Sequence, residues 1–289
     1  MRSEKEMMEI ILSTAKKDER IRAVYMNGSR TNPNVPKDIY QDYDIVFVVT
    51  ETDSFLADKD WIGGFGKPLI VQEPDLNDNA WGEQHDFSRR YAWLILLEDG
   101  NRLDLVIEIK EEAQKNFIGD KLTILLLDKD GFLPEIPRPT DEDYHLKKPN
   151  EAQYRACCNN FLWCLNNVAK GIARDELPYA MEMYNCVVRN DLKDMISWYI
   201  GINTGFSVSV GKMGKHFKKF LTQELYTMYA QTYSDSSYEN FWAAIFIACE
   251  LFRSIAPEVA DYFGYTYNWQ DDKNMATYLN RVKNNDFMQ

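Results

Sequence analysis

Two carboxylates separated by a single residue, Asp42 and Asp44, stand at the start of an apolar, β-branched segment. In a strand, residues i and i+2 point to the same face, so these side chains would lie about 7 Å apart on one side. Like charges repel at that spacing unless something neutralises them. Mg²⁺ does so, because it binds one or two carboxylates together with substrate phosphates. The pair therefore indicates a metal site, although a lone Asp-x-Asp is usually a solvated strand end.

A third carboxylate, Asp104, interrupts the apolar run Leu103–Val106 of a later segment. A charge in such a run needs a partner, and a metal-bound carboxylate pair on a neighbouring strand would provide one. Phosphoryl-type transfer depends on positioning and charge stabilisation. Two metal ions roughly 3.5–4 Å apart can hold both the attacking and the leaving oxygen. Three converging carboxylates are typical of that chemistry.

A turn that reads Gly28-Ser29-Arg30 follows the strand-like segment 21–26. Glycine lets the backbone approach a phosphate closely, and a serine hydroxyl with turn N–H groups can hold a phosphate oxygen. The arginine adds a planar cation. Asn-Gly alone is more often a simple turn than a phosphate-binding loop. Its combination with three carboxylates favours a nucleotide site.

The elements that position these residues fall into two parts, which together predict an α+β protein. A helix is expected over 4–18, and the turn Asp99-Gly100-Asn101 predicts a hairpin. Strands are expected over 21–26, 43–49, 67–72, 91–97 and 103–109, and 122–127 is a candidate for a sixth element. After a proline-rich segment, helices are expected over 150–171, 175–200, 212–232, 237–262 and 273–284. The predicted domains are 1–140, with a sheet and flanking helices, and 141–289, all helical.

The charge of the chain limits its partners. The 289 residues carry a net charge of −12, of which −9 lies in residues 1–140. A general nucleic-acid binder would carry the opposite sign, whereas a cationic small molecule or a metal-bound nucleotide suits an acidic protein. The N-terminus is acidic without a long apolar run, and no segment has the length of a membrane span. We therefore expect a cytoplasmic protein with no nucleic-acid or membrane partner.

The order Gly28-Ser29, Asp42-x-Asp44 and Asp104 resembles that of the nucleotidyltransferase superfamily. The closer resemblance is to the aminoglycoside 6-adenylyltransferases, which modify streptomycin, and it runs over nearly the whole chain. The segments that carry it include GSRTNPNVPKD (28–38), QDYDIVFVVT (41–50), EDGNRLDL (98–105), YRACCNNF (154–161), VVRNDLKDMISW (187–198), SVGK (209–212) and SYENFWAAIF (237–246).

This resemblance implies Mg²⁺-dependent transfer of AMP from ATP to a hydroxyl of an aminoglycoside, which confers antibiotic resistance. It implies a nucleotidyltransferase domain with a mixed sheet over 1–140 and a helical substrate-binding domain over 141–289. Asp42 and Asp44 would hold the metal, and Asp104 would either complete the ligand set or take the hydroxyl proton. The nucleotide would be bound by Gly28, Ser29, Arg30 and Lys212. A solvated lysine at a helix N-terminus is an equal alternative for Lys212.

Three positions depart from the family pattern and bear on the acceptor. Arg155, Ala156 and Asn160 stand where relatives usually carry acidic residues. Since streptomycin is a polycation, we expect it to be a poorer acceptor here than for close family members. Two other functions remain open: transfer to a different small-molecule or protein hydroxyl, and nucleotide binding without catalysis. The presence of all three carboxylates favours catalysis.

Overall fold

The structure is a computed structural model, and it describes residues 1–286. Backbone contacts divide the chain into two compact units, the first ending at Asp143 and the second beginning at Tyr144. We call them the sheet unit and the helical unit. The division falls in the proline-rich segment, where the backbone forms only a short 3₁₀ turn, Glu142–Tyr144.

All six strands of the described chain form one sheet in the sheet unit. They are β1 (Ile21–Asn27), β2 (Tyr43–Val49), β3 (Pro68–Gln72), β4 (Arg90–Leu97), β5 (Arg102–Ile109) and β6 (Ile124–Asp128). The order across the sheet is β3-β4-β5-β2-β1-β6. Strands β2 and β5 pair in parallel, and the other neighbours are antiparallel. The predicted α+β class and mixed sheet are confirmed.

Four helices accompany this sheet. They are α1 (Glu4–Lys17), α2 (Asp53–Ala57), α3 (Pro74–Ala80) and α4 (Lys110–Asn116). Helix α1 begins at a capping box, in which Ser3 and Glu6 satisfy each other's backbone N–H groups. The hairpin predicted at residues 99–101 joins β4 to β5, and Gly100 has a φ of +86° there.

Alternation along β2 places its side chains in two separate cores. Ile45 and Phe47 pack in the cluster that contains the buried residues of α1. Val46 and Val48 pack in a smaller cluster with Ala113 and Phe117, in and just after α4. Because side chains alternate along a strand, Asp44 points to the same face as Val46. The sheet thus presents a carboxylate at the start of an otherwise apolar strand.

The helical unit is built around one hydrophobic core. Its helices are α5 (Glu151–Ala173), α6 (Leu177–Met183), α7 (Arg189–Thr204), α8 (Phe217–Phe220), α9 (Gln223–Gln231), α10 (Tyr238–Phe263) and α11 (Trp269–Lys283). Inside the core, the rings of Phe161 and Phe252 stack with centroids 3.9 Å apart. Among residues 1–286, no helix is both long and apolar enough to cross a lipid bilayer.

The predicted helix 212–232 is helical only in part, because it begins later and is divided in two. The backbone there forms a 3₁₀ turn, Lys212–Gly214, followed by the short helix α8 and then by α9. Gly211, Met213 and Gly214 have φ values of +71°, +59° and +76°, which no right-handed helix can accommodate. Residues 211–214 therefore form a turn that precedes α8 and α9.

Candidate active site

The sheet register brings the three predicted carboxylates to one end of the sheet. Asp44 pairs with Asn27 of β1 on one side and with Asp104 of β5 on the other. Asp42 lies two residues before Asp44, immediately before the start of β2. Parallel pairing at identical register keeps Asp44 and Asp104 side by side on the same face. The backbone therefore forces the three like charges into proximity.

Gly28 fits closely against one of these carboxylates. Its φ and ψ are +78° and −159°, a conformation that is essentially confined to glycine. A Cβ at this position would lie 2.1 Å from Asp44 Oδ2. The turn Ser29–Thr31 follows, and Thr31 donates from its backbone N and its Oγ1 to the Gly28 carbonyl. Glycine is thus needed for space beside Asp44 as well as for the turn.

The guanidinium group of Arg30 binds backbone carbonyls of its own chain. Its side chain is buried, its Nε donates to the Asp42 carbonyl at 3.0 Å, and an Nη donates to the Gln41 carbonyl at 2.8 Å. The guanidinium also lies 3.7 Å from the ring centroid of Tyr43. These contacts fix the segment that carries Asp42 into β2.

A residue that the sequence reasoning missed, Arg102, lies among the carboxylates. Its Nε and Nη2 donate to the two oxygens of Asp104, each at 2.7 Å. Its Nη1 lies 3.5 Å from Asp42 Oδ2. The predicted strand 103–109 began one residue too late to include Arg102. In the structure β5 begins at Arg102, so Arg102 and Asp104 are two residues apart in one strand and share a face.

The surroundings of Asp44 raise its pKa. Burial raises its pKa, and the charges of Asp104 and Asp42 raise it further, to about 6. The nearby guanidinium groups of Arg102 and Arg30 act in the opposite direction but do not cancel the increase. The ionised carboxylate is therefore unfavourable in the protein alone and would be favoured by an added cation.

Asp42, Asp44 and Asp104 supply carboxylate oxygens, which are the donor type that Mg²⁺ prefers. Mg²⁺ binds carboxylate oxygens and usually retains water and substrate phosphates as its other ligands. Asp42 and Asp104 already share a cationic group, and Asp44 between them has a raised pKa. The side chains of Asp42 and Asp104 are 36% and 17% exposed, so the first is open to solvent and the second largely covered.

The remaining predicted residues lie in the helical unit. Lys212 is exposed and begins the 3₁₀ turn that follows Gly211. Arg155 is 73% exposed and lies 3.8 Å from Glu151 on the same helix, α5. The Asn160 amide donates to Asp191 Oδ2 at 2.7 Å, which links α5 to α7. Ala156 is exposed on α5.

Among residues 1–286, a different group of side chains already has its ligand atoms close together, whereas the oxygens of Asp42, Asp44 and Asp104 do not all lie that close. Asp78, Glu83 and His85 have ligand atoms within 4.8 Å of one another, at the end of α3 and in the loop that follows. Exposed acidic groups commonly gather without binding a metal, and these three residues have no part in the site described above.

Comparison with known proteins identifies the family of this chain. A family model described as streptomycin adenylyltransferase matches residues 1–282. An aminoglycoside 6-adenylyltransferase from Campylobacter jejuni is 41% identical over 283 residues, which cover 98% of this chain and 96% of the relative. A protein of the same name from Bacillus subtilis (strain 168) is 38% identical, covering 94% of this chain and 95% of the relative.

A third relative, an aminoglycoside 6-adenylyltransferase from Staphylococcus aureus, is 32% identical over 96% of this chain and 98% of its own. A crystal structure of an aminoglycoside 6-adenyltransferase from Bacillus subtilis is 32% identical, covers 98% of this chain and 99% of that chain, and has a TM-score of 0.48. The family model and the three relatives span almost all of the sequence. The chain therefore belongs to the streptomycin adenylyltransferase family and is an adenylyltransferase.

Proposed function

We propose that the protein transfers AMP from ATP, with Mg²⁺, to a hydroxyl group of an aminoglycoside. The observation that carries this proposal is the convergence of Asp42, Asp44 and Asp104 at one end of the sheet, with Gly28 in contact with Asp44. The relatives, which are named as aminoglycoside 6-adenylyltransferases, support the donor group and the acceptor class. Because ATP is the donor, we expect the protein to act in the cytoplasm.

Asp42 and Asp44 are proposed as the metal ligands, with Asp104 as the third member of the set. When bound, the metal would neutralise charge on the phosphates and on the leaving group. The chain's own contribution is to hold these carboxylates in place before the nucleotide arrives. The parallel register between β2 and β5 does so for Asp44 and Asp104. Arg30 does so for Asp42, through the backbone carbonyl of that residue.

In the proposed reaction, the acceptor hydroxyl oxygen forms a bond to the α-phosphorus of ATP. The bond from that phosphorus to the oxygen bridging the β-phosphate breaks, and pyrophosphate leaves with the bonding electrons. The hydroxyl proton passes to a carboxylate or to water. Asp104 is the proposed base in one version and a metal ligand in the other, and both versions need its carboxylate at this place on β5.

The triphosphate is proposed to bind at the turn formed by Gly28 and Ser29, where the backbone carries no side chain at the first position. Arg30, which the sequence predicts as a phosphate contact, also holds the segment before β2, since two of its donors bind carbonyls there. Lys212 stays a proposed phosphate contact. Its exposure and the turn that begins at it leave its ammonium group accessible.

The helical unit is proposed to bind the acceptor, and three of its residues bear on which acceptor that is. Arg155, Ala156 and Asn160 provide a cation, a methyl group and a neutral amide on α5. Such groups bind a polycation less well than carboxylates do, because charge-assisted hydrogen bonds contribute roughly 1.5–3 kcal/mol each. We therefore propose an aminoglycoside acceptor, with streptomycin used less efficiently than by close relatives.

The test is an adenylylation assay with ATP, Mg²⁺ and a panel of aminoglycosides that includes streptomycin. Formation of an AMP-bearing product and of pyrophosphate in equal amounts would support the proposal. ATP binding without product from any member of the panel would contradict the acceptor class. Product formation that persists at the same rate in D44N would contradict the proposed site.

A further inference from the structure

A guanidinium group stands among the three carboxylates proposed to bind metal. Arg102 makes a two-pronged pair with Asp104, both donor–acceptor distances being 2.7 Å. The same group approaches Asp42 to 3.5 Å. It therefore bridges the two carboxylates that flank Asp44 and lowers the pKa of Asp44 through its charge.

The positive charge of Arg102 neutralises part of the negative charge of Asp42 and Asp104, as a bound metal ion would. Two-pronged arginine–carboxylate pairs are strong and directional, so Asp104 has both oxygens engaged. A divalent cation that needs an oxygen of Asp104 must compete with this pair. The Arg102 side chain is 44% exposed, so solvent or a ligand can reach its guanidinium.

We propose that Arg102 is a positioning residue that occupies the cation position between Asp42 and Asp104 and thereby suppresses binding of the free divalent cation. A nucleotide brings phosphate oxygens, which are good acceptors for a guanidinium. Breaking the Arg102–Asp104 pair costs free energy, and this cost is then offset only when metal and nucleotide bind together. The inference rests on the proposed function, since it assumes that the metal binds at these carboxylates.

The chain contains a matched control for this arrangement. Arg22 on β1 makes the same kind of two-pronged pair, with Asp130 just after β6. Arg22 also binds Glu19 and contacts none of the proposed metal ligands in the bonds observed. Replacing Arg22 removes an arginine–aspartate pair of the same geometry without opening the carboxylate cluster.

The experiment measures Mn²⁺ binding in the absence of nucleotide, by electron paramagnetic resonance of the free ion. We expect R102Q to bind Mn²⁺ roughly tenfold or more tightly than the wild type, because the competing charge is gone. R102K keeps a charge but cannot make the two-pronged pair, so it should be intermediate. R22Q should match the wild type. Circular dichroism establishes that each variant is folded, and R102K carries the test if R102Q is not.

Two results would overturn the inference. One is a folded R102Q or R102K that binds free Mn²⁺ no more tightly than the wild type. The other is a tightening in R102Q that persists in R102Q/D44N, which would place the ion elsewhere. Failure of the proposed function is distinguishable: it would appear as Mn²⁺–nucleotide binding in the wild type that does not depend on Asp44. If Mn²⁺–nucleotide binding depends on Asp44 while R102Q binds free Mn²⁺ no more tightly than the wild type, only the proposed role of Arg102 is rejected.

Discussion

Asp44 in the sheet unit and Asp191 in the helical unit both have a pKa raised to about 6, but their surroundings differ. Burial is the largest cause in each case. For Asp44, the charges of two further carboxylates add to it. For Asp191, the amide of Asn160 donates a hydrogen bond that lowers the pKa, and only Asp194 adds repulsion.

These partners separate a proposed cation site from a carboxylate that receives a hydrogen bond within the fold. Strand register holds Asp44 next to Asp104 whatever their charges, so the repulsion cannot relax. Asp191 lies on α7 with a neutral donor from α5 directed at it. A raised pKa alone would not distinguish the two residues, whereas the partners of each carboxylate do.

The largest contrast is expected in catalysis. D44N should lower kcat/KM for adenylyl transfer by about 10²–10³-fold, the scale seen when a charge-stabilising group is removed from a reacting centre. D191N, a change of the same chemistry, should alter kcat/KM by less than about tenfold. Steady-state kinetics with ATP and one accepted aminoglycoside measure both. A loss of kcat/KM in D191N as large as that in D44N would mean that the two carboxylates do not differ in function.

The next effect concerns the space beside Asp44. G28A introduces a methyl group whose ideal position is 2.1 Å from Asp44 Oδ2, in a backbone conformation that alanine rarely adopts. We expect activity to fall about 10–100-fold and stability to fall by about 1–3 kcal/mol. The control is G131A, where φ is +64° but nothing lies within 4 Å of the added Cβ.

G131A should cost only about 1 kcal/mol of stability and leave catalysis unchanged. Thermal unfolding and kinetic assays on the same preparations compare the two variants. Equal losses of activity in G28A and G131A would mean that contact with Asp44 is not what requires glycine at position 28.

A third effect appears in stability without metal or nucleotide. The folded protein holds the Asp44 proton more strongly than the unfolded chain does, because its pKa is raised from 3.8 to about 6. Stability is therefore lost as pH rises through that interval, by about 3 kcal/mol at most. D44N should match the wild type below pH 4 and be more stable above pH 6. Denaturation by urea at several pH values measures this.

The contrary outcome would be a D44N variant that is less stable than the wild type at pH 7.5, which is the behaviour of a structural carboxylate. Addition of Mg²⁺ with an ATP analogue should stabilise the wild type and narrow its difference from D44N.

The smallest effect is expected at the acceptor. R155D/N160E should raise kcat/KM for streptomycin by about tenfold or less, because two negative charges are added on α5 and a positive one is removed. N160E alone replaces the donor to Asp191 with a carboxylate, so we also expect it to lower thermal stability. Unchanged use of streptomycin by the double variant would show that these positions do not contact the acceptor.

Much of the sheet unit was predictable because its signals are local. Alternating apolar residues and the turn at residues 99–101 predicted the strands and the hairpin within one or two residues for most elements. The same period of two predicted that Asp42 and Asp44 share a face. Parallel pairing of β2 with β5, which brings Asp104 to Asp44, is a tertiary event that the local pattern of neither strand encodes.

Other features depended on contacts that no local pattern encodes. Arg30 reads as a phosphate ligand beside Gly28, but its guanidinium is bound by carbonyls eleven and twelve residues further along the chain. The positive φ of Met213 interrupts the expected helix 212–232. Because methionine rarely adopts a positive φ, its residue type did not predict this conformation. The roles assigned to the three carboxylates and to Gly28, Ser29, Arg30 and Lys212 all stay predictions.

One measurement tests directly whether Asp44 and its neighbours hold the nucleotide-bound metal. Electron paramagnetic resonance of Mn²⁺ with a non-hydrolysable α,β-methylene analogue of ATP reports the ion bound in the ternary complex. We predict a Mn²⁺ signal that requires both protein and analogue in the wild type and in D191N, and its loss in folded D44N. The same signal in D44N, at the same affinity, would contradict it.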